Sequence, residues 1–462
     1  MAASLTSTLR ALRSGTTSPV AVLDRAWTAI ATHNAHCNAL THIAPRADLE
    51  RAATAAAQRY ANGSARPLEG VPVAIKGNFA TANDLPTTCG SRVLADYVSP
   101  FDATAVARLR AAGAIVMGKS NLDEFGMGSF NIHSVHGPCV QPGPDRRVAG
   151  GSSGGSAVAV QTGMALAALG SDTGGSVRLP ASYCGVVGWK PQYGAVSRHG
   201  LVAYAHSLDT VGVLARTVPD ARLVYDQIAG PDPLDMTSTK VTAHDLLPPS
   251  LVIGVPSDYH LQELTPAAIQ TWSAALTKLE AAGHTVRRVE LPSTLSALAA
   301  YYVLAPAEAA SNLARFDGVR YGRHRTQLGP EVQRRLLVGA YALSARAVDT
   351  YYARAVQVRA AVAREFAAAF AECHVLVTPA ALGAAPLLAD VPPTTEGGAV
   401  RKGEEDPAAA YVNDVFTVPA SLAGLPAIVV PVTDHIGVQV VGPRDREQWV
   451  LDVGQMVDGG VE

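Results

Sequence analysis

Two glycine-serine clusters hold the residues of this 462-residue chain best suited to chemistry: GGSSGGS at 150–156 and GSDTGGS at 170–176. Glycine loses more conformational freedom on folding than any other residue, so ordering this many of them implies a demanded backbone shape. In the second cluster the successive N–H groups of Thr173, Gly174, Gly175 and Ser176 can form a nest for an anion. With Ser176 closing that nest, one segment supplies a nucleophile and an oxyanion hole together. A flexible Gly-Ser linker is the plain alternative. It is disfavoured because the clusters flank a small-residue apolar stretch, read as a buried helix over 154–169, and the second runs on into Val-Arg-Leu-Pro. Buried clusters must satisfy their own polar groups.

A serine nucleophile needs a base. His133, His136, His199 and His206 sit in loop-like stretches without the context of a hydrolase triad. Lys76 remains. Most lysines are solvated surface charges, but this one ends the apolar run VPVAI at 71–75, which reads as a buried strand. Desolvation lowers a lysine's pKa toward the range of a general base, and a serine–lysine pair is a known variant of triad logic. The string GAIVMGKS at 113–120 also matches the phosphate-binding pattern G-x-x-x-x-G-K-[ST]. In a true phosphate loop the strand precedes the first glycine. Here Ala-Ile-Val-Met is itself the strand and Gly113 caps the helix before it, so those amides belong to a sheet ladder and not to a phosphate.

The positioning elements read as an α/β alternation over the first 230 residues or so. A helix is expected over 103–112, strands over 114–117 and 251–255, and long helices over 266–282 and 348–370. Residues 382–410 carry Pro, Gly and charge without periodicity and read as a loop or lid, with strand-like segments following at 427–430 and 438–441. The simplest organisation is a single domain over 1–462, with a catalytic core at about 65–230 and a helical, pocket-forming region at about 260–430.

Bulk composition narrows the class. A net charge of −2 and 16% charged residues give no overall basic footprint for nucleic acid. Five scattered cysteines with no CxxC argue for reduced thiols and against a zinc site. The first 23 residues contain Arg10, Arg13 and several Ser and Thr, with no acid. That is either a mitochondrial transit composition or an ordinary first helix closed by Gly15.

The two clusters together with strand-borne Lys76 resemble the amidase signature family. The resemblance implies an α/β fold with a central mixed β-sheet covered by helices on both faces. It implies that Ser176 is the acylated nucleophile, Ser152 the bridging serine that passes the proton, and Lys76 the base, entering neutral. Thr173, Gly174, Gly175 and Ser176 then supply the oxyanion hole, and Ser153 is a supporting neighbour. The stretches GKSNLDEFGMGS (118–129), 170–212 and EAASNLARFDGVRYG (308–322) are most similar to the tRNA-dependent amidotransferase branch, and the last is not shared by generic amidases. That branch implies glutamine as nitrogen donor, with Arg335 on its α-carboxylate, Asp414 on its ammonium and Tyr301 lining the pocket, although a core tyrosine is the plainer reading of Tyr301. No cofactor is expected on this chain; ATP and Mg are expected on a B-type partner that binds tRNA, with a small third subunit beside it. Phrases such as DEFGMGS look fungal and mitochondrial, which implies the mitochondrial matrix, or the cytoplasm if the source is bacterial. Three departures from the family pattern stand out: Gly77 where an acid usually follows the lysine, a shorter 322–331 segment, and an abbreviated hairpin after Pro431. The rival readings are a stand-alone amide hydrolase and a catalytically silent scaffold for assembly.

Overall fold

The first buried contact of the chain is made at once. In the computed structural model, which describes all residues except 1–2, 83–84, 241–246, 392–406, 434 and 459–462, helix α1 (Leu5–Arg13) buries Leu5, Leu9 and Leu12 on one face. Its free N-terminal amides are capped from afar, Leu5 N and Thr6 N donating to the Asp220 carboxylate at 3.1 and 2.7 Å. Residues 5–13 are thus helical, with one face packed into the core.

The remaining elements follow in order: α2 (Pro19–Cys37), β1 (Leu40–Ile43), α3 (Arg46–Ala61), β2 (Pro72–Lys76), α4 (Thr104–Ala111), β3 (Ile115–Ser120), α5 (Gly154–Gln161), β4 (Ala167–Asp172) and α6 (Arg178–Cys184). Then come β5 (Val187–Lys190), β6 (Thr210–Ala215), α7 (Val218–Ile228), β7 (Val252–Pro256), α8 (Pro266–Ala281) and β8 (Thr285–Val289). A helical run follows, α9 (Ala297–Asn312), α10 (Pro330–Ala342) and α11 (Ala353–Glu372). The chain returns through β9 (Val375–Pro379), α12 (Val418–Leu422), β10 (Ala427–Thr433), β11 (Ile436–Val441) and α13 (Glu447–Val457). Helices α2, α7 and α8 start alike, with Ser18, Thr217 or Thr265 accepting from a first-turn amide and a proline in that turn. Such a cap satisfies an orphan donor, and proline there loses no hydrogen bond.

The strands form one mixed sheet in the order β1-β3-β2-β4-β6-β5-β10-β11-β9-β7-β8. It is parallel at β3-β2-β4 and at β9-β7-β8 and antiparallel elsewhere. Helices flank it, and a second core beneath α9, α10 and α11 joins the helical run to the sheet through Leu376, Ala427 and Val441. All five cysteines are buried and free.

One sequence expectation is corrected. The helix over 154–169 stops at Gln161; Gly163, at φ +78°, turns the chain, and 167–172 is strand β4, inserted between β2 and β6. Small residues carry no period that separates a buried helix from a buried strand, and the slot beside β2 decides. The expected loop at 382–410 lies largely outside the described residues. The GAIVMGKS string lies in β3 from Ile115 onward, paired in parallel with β2. Its Gly118 is required because the His42 carbonyl of neighbouring β1 occupies the place of a Cβ. Gly118→Ala is therefore expected to destabilise the protein by roughly 1–3 kcal/mol, the usual cost of overpacking, read as a lowered urea midpoint.

Candidate active site

Strands β2 and β4 run parallel and end together, Ile75 opposite Leu169, so their C-terminal ends deliver Lys76 and Ser171 to one point. The C-terminal edge of parallel strands is the usual place for a ligand in open α/β sheets. Lys76 is fully buried. Its Nζ lies 2.8 Å from Ser152 Oγ, 2.8 Å from Ser153 Oγ, 2.9 Å from Ser171 Oγ and 3.2 Å from the Ser171 carbonyl. Ser153 Oγ lies 3.2 Å from that carbonyl and Asn78 Nδ2 donates to Ser171 Oγ. Lys76 thus sits in a cage of neutral oxygens.

No carboxylate bonds to it among the described residues. Asp123 accepts from the amides of Asn131, Ile132 and His133. Asp172 is taken by Arg178 and the Val177 amide, and Asp209 by Thr173 Oγ1 and the amides of Tyr204 and Ala205. Burial consequently dominates over these more distant acids, and the Lys76 pKa falls to about 7. A Cβ on Gly77, where the resemblance implies an acid, would meet Leu122 and the Ser120 carbonyl, while the neighbouring Asn78 donates to Ser171 Oγ.

The 172–178 turn is held by a fully buried ion pair. Arg178 Nε and Nη2 donate to the two Asp172 oxygens at 3.0 and 2.9 Å, closing the ends of the nest on one another. The same guanidinium donates to the Gly174 carbonyl, to Ser421 Oγ, to the Thr417 carbonyl and to Gln439 Oε1. Inside this clamp the amides of Thr173, Gly174, Gly175 and Ser176 donate to no acceptor among the described residues, although all four residues are buried. Buried amides are almost always paired. Four consecutive amides around a serine, none given to a protein acceptor among the described residues, can receive negative charge.

Ser176 is joined to the Lys76 cage through the backbone, Ser153 N donating to its carbonyl at 3.1 Å. A Ser152–Ser176 hydroxyl bond is not among those of the described residues. The Gly151–Ser152 peptide is cis. The first cluster's glycines serve packing: any Cβ at Gly154 or Gly155 meets Asn131 or the backbone of Ala39 and Asn121. In the second cluster Gly170 also serves packing, against Val177 and Leu214, whereas Gly174 and Gly175 lie against the residues expected to bind substrate. A Cβ on Gly174 would lie 2.8 Å from the Tyr301 ring, and one on Gly175 would run into Thr417 and lie 3.2 Å from Asp414 Oδ1.

The same region gathers the remaining candidates. Buried Asp414 accepts from Ser129 Oγ and Tyr302 OH on Oδ2, which leaves Oδ1 beside Gly175. Burial raises its pKa to about 6. Buried Arg335, on α10, donates from Nε to Glu331 and from Nη1 to Tyr204 OH, and its guanidinium lies 5.2 and 5.1 Å from the stacked rings of Tyr302 and Tyr411. Its Nη2 is buried without a hydrogen-bond partner among the described residues. Glu331 is buried, which favours its neutral form, but Arg335 and His133 outweigh that and hold its pKa at about 2. Tyr301, for which a core position and a pocket-lining one both stood open, is buried in the apolar cluster beneath α9 and faces Gly174.

Sequence reasoning missed Ser171, Asn78, Ser129, Tyr302, Tyr411 and Glu331. The Asp172–Arg178 pair carried a signal, two opposite charges inside an apolar stretch flanking the expected nucleophile. Removing one partner of a buried pair typically costs about 3–5 kcal/mol, because the other charge is left unpaired. Arg178→Met should lower stability by that order in a denaturant titration, and Asp172→Asn combined with Arg178→Met should recover part of the loss.

The amidase family model matches residues 21–451. The chain is 42% identical to the A-type subunit of mitochondrial glutamyl-tRNA(Gln) amidotransferase from Ajellomyces capsulatus, over 93% of this chain and 96% of that one. It is 44% identical to the corresponding A-type glutamyl-tRNA(Gln) amidotransferase subunit of Moorella thermoacetica, over 92% of this chain and 89% of that one. The crystal structure of the A-type glutamyl-tRNA(Gln) amidotransferase subunit from Thermotoga maritima superposes with a TM-score of 0.78 at 36% identity, covering 95% of this chain and 91% of that one.

Proposed function

The chain belongs to the amidase family, and on that footing we propose that it is the glutaminase subunit of a glutamyl-tRNA(Gln) amidotransferase, releasing ammonia from glutamine through Lys76, Ser152 and Ser176. The observation that carries the chemistry is a dry lysine without a carboxylate partner, set beside a run of buried, unfilled amides.

Neutral Lys76 accepts the Ser176 proton by way of Ser152. Ser176 Oγ attacks the side-chain amide carbon of glutamine, and the oxyanion is received by the amides of Thr173, Gly174, Gly175 and Ser176. The proton passes to the leaving nitrogen, ammonia departs, and water hydrolyses the γ-glutamyl ester. Arg335 Nη2 is the donor left for the substrate carboxylate, and Asp414 Oδ1 the acceptor left for its ammonium. Tyr301 closes the side over Gly174. Ammonia then serves a B-type subunit carrying tRNA, ATP and Mg, with a small third subunit completing the assembly. The similarity to mitochondrial relatives supports a mitochondrial setting.

Glutaminase assays of the purified complex test the reading. Ser176→Ala should lower kcat by on the order of 10⁴-fold or more. Arg335→Lys, which loses the planar fork, should raise the KM for glutamine roughly 10- to 100-fold with little change in kcat. Glutamine hydrolysis that survives Ser176→Ala sinks the mechanism. Indifference to Arg335, with brisk turnover of unrelated amides by the isolated chain, favours a stand-alone hydrolase.

The acid limb of the pH profile follows from the two shifted groups. Lys76, lowered to about 7, is neutral above that value and protonated below it. Asp414, raised to about 6, loses its charge next. The kcat/KM for glutamine should therefore fall as pH drops through about 7, and Asp414→Asn should lower activity while leaving that limb in place. A flat profile across the Lys76 value of about 7 contradicts its assignment as the base.

A further inference from the structure

The helix that carries Arg335 has an outer face that the glutamine site does not use. On α10, Leu337 is 72% and Tyr341 60% exposed. A cavity of about 730 Å³ beside it is lined among others by Arg92, Thr326, Arg334 and Leu337, and the 318–325 loop leads directly into its Thr326 edge. There Val319 is 89% and Tyr321 62% exposed. This loop overlaps the EAASNLARFDGVRYG stretch, which the catalytic chemistry leaves without a role. Its shape is built: Asp317 Oδ1 accepts from the amides of Val319, Arg320 and Tyr321. Large apolar side chains held out on an ordered scaffold mark an interaction surface.

Charge says what kind of partner fits. Residues 311–346 contain seven arginines and two acids, in a chain whose net charge is −2. Both acids are committed inward, Asp317 to its own loop and Glu331 to Arg335, Arg334 and Tyr411. Arg335 is buried, Arg334 is paired with Glu331 and Arg323 with Asp96. That leaves Arg315, Arg320, Arg325 and Arg346 without a carboxylate partner among the described residues, an excess of positive charge around an apolar and aromatic centre. Tyrosine, leucine and arginine in that arrangement suit a polypeptide with apolar anchors and acidic flanks, because complementary charge steers and registers such contacts. A nucleic-acid backbone has no use for Val319 and Leu337.

We propose that the 318–325 loop and the outer face of α10 form the docking surface for an acidic, apolar-anchored segment of the B-type partner. This rests on the amidotransferase reading. A partner seated there lies on the same helix whose inner face presents Arg335 to the substrate.

The test titrates the full-length chain with the B-type subunit of the same organism by calorimetry. Two variants are compared, Leu337→Asp with Tyr341→Asp, and Val319→Asp, each checked for an unchanged thermal midpoint. A Kd raised at least ~10-fold in both, about 1.4 kcal/mol, and a smaller, salt-sensitive loss in Arg320→Glu, supports the surface. Wild-type affinity in both apolar variants overturns it. So does a self-associating chain that the variants convert to monomer while partner binding persists. Arg320→Glu that weakens tRNA binding and spares the partner assigns the face to RNA and also overturns it. If the unaltered chain shows no association with the B-type subunit, the amidotransferase reading itself fails.

Discussion

A lysine that is dry without being ion-paired is the demand on which the rest of the site depends. Hydration would favour the ammonium form of Lys76, and so would a carboxylate within bonding distance. The fold brings Asp123, Asp172 and Asp209 into the neighbourhood and commits each to other partners: three backbone amides, an arginine, and a threonine with two amides. Hydroxyls and a carbonyl are what reach Nζ. Catalytic competence here is as much about where the acids do not point as about where the serines do.

The same constraint explains the sheet. Parallel β2 and β4 bring the base and its cage together by register alone. The nest needs a second source of order, because glycines do not hold their own conformation. Arg178 supplies it by reaching Thr417, Ser421 and Gln439, residues 239, 243 and 261 positions further along the chain. The second half of the sequence therefore stabilises the catalytic turn of the first, and α12 with β11 holds the geometry that follows β4.

What is legible in the sequence divides along these lines. Lys76 at the end of VPVAI and the serines among glycines can be read because their signal is local. Strand β4 escapes such a reading because Ala, Gly and Ser carry no periodicity and tertiary pairing decides their state. The glycines of the first cluster look like a device for exposing amides, whereas close approach by the Ala39 backbone and the 121–131 segment is what requires them. Arg335 and Asp414 are reachable only through family resemblance. Their supports, Tyr302 stacked on Tyr411 and Glu331 bonded to Tyr411, join segments far apart in the chain, and no local pattern announces such a meeting.

The unfilled Nη2 of Arg335 has a bearing on selectivity. A buried donor without an acceptor is costly, and it stays costly when the wrong molecule fills the space around it. On the glutaminase reading proposed above, an amide lacking the α-carboxylate would gain the contacts of the site but leave that hydrogen bond unmade. Sites of this kind discriminate by exclusion, and rejection through an unmatched polar group is far steeper than anything a missing methylene achieves. The pocket thus screens its guests by what they fail to satisfy.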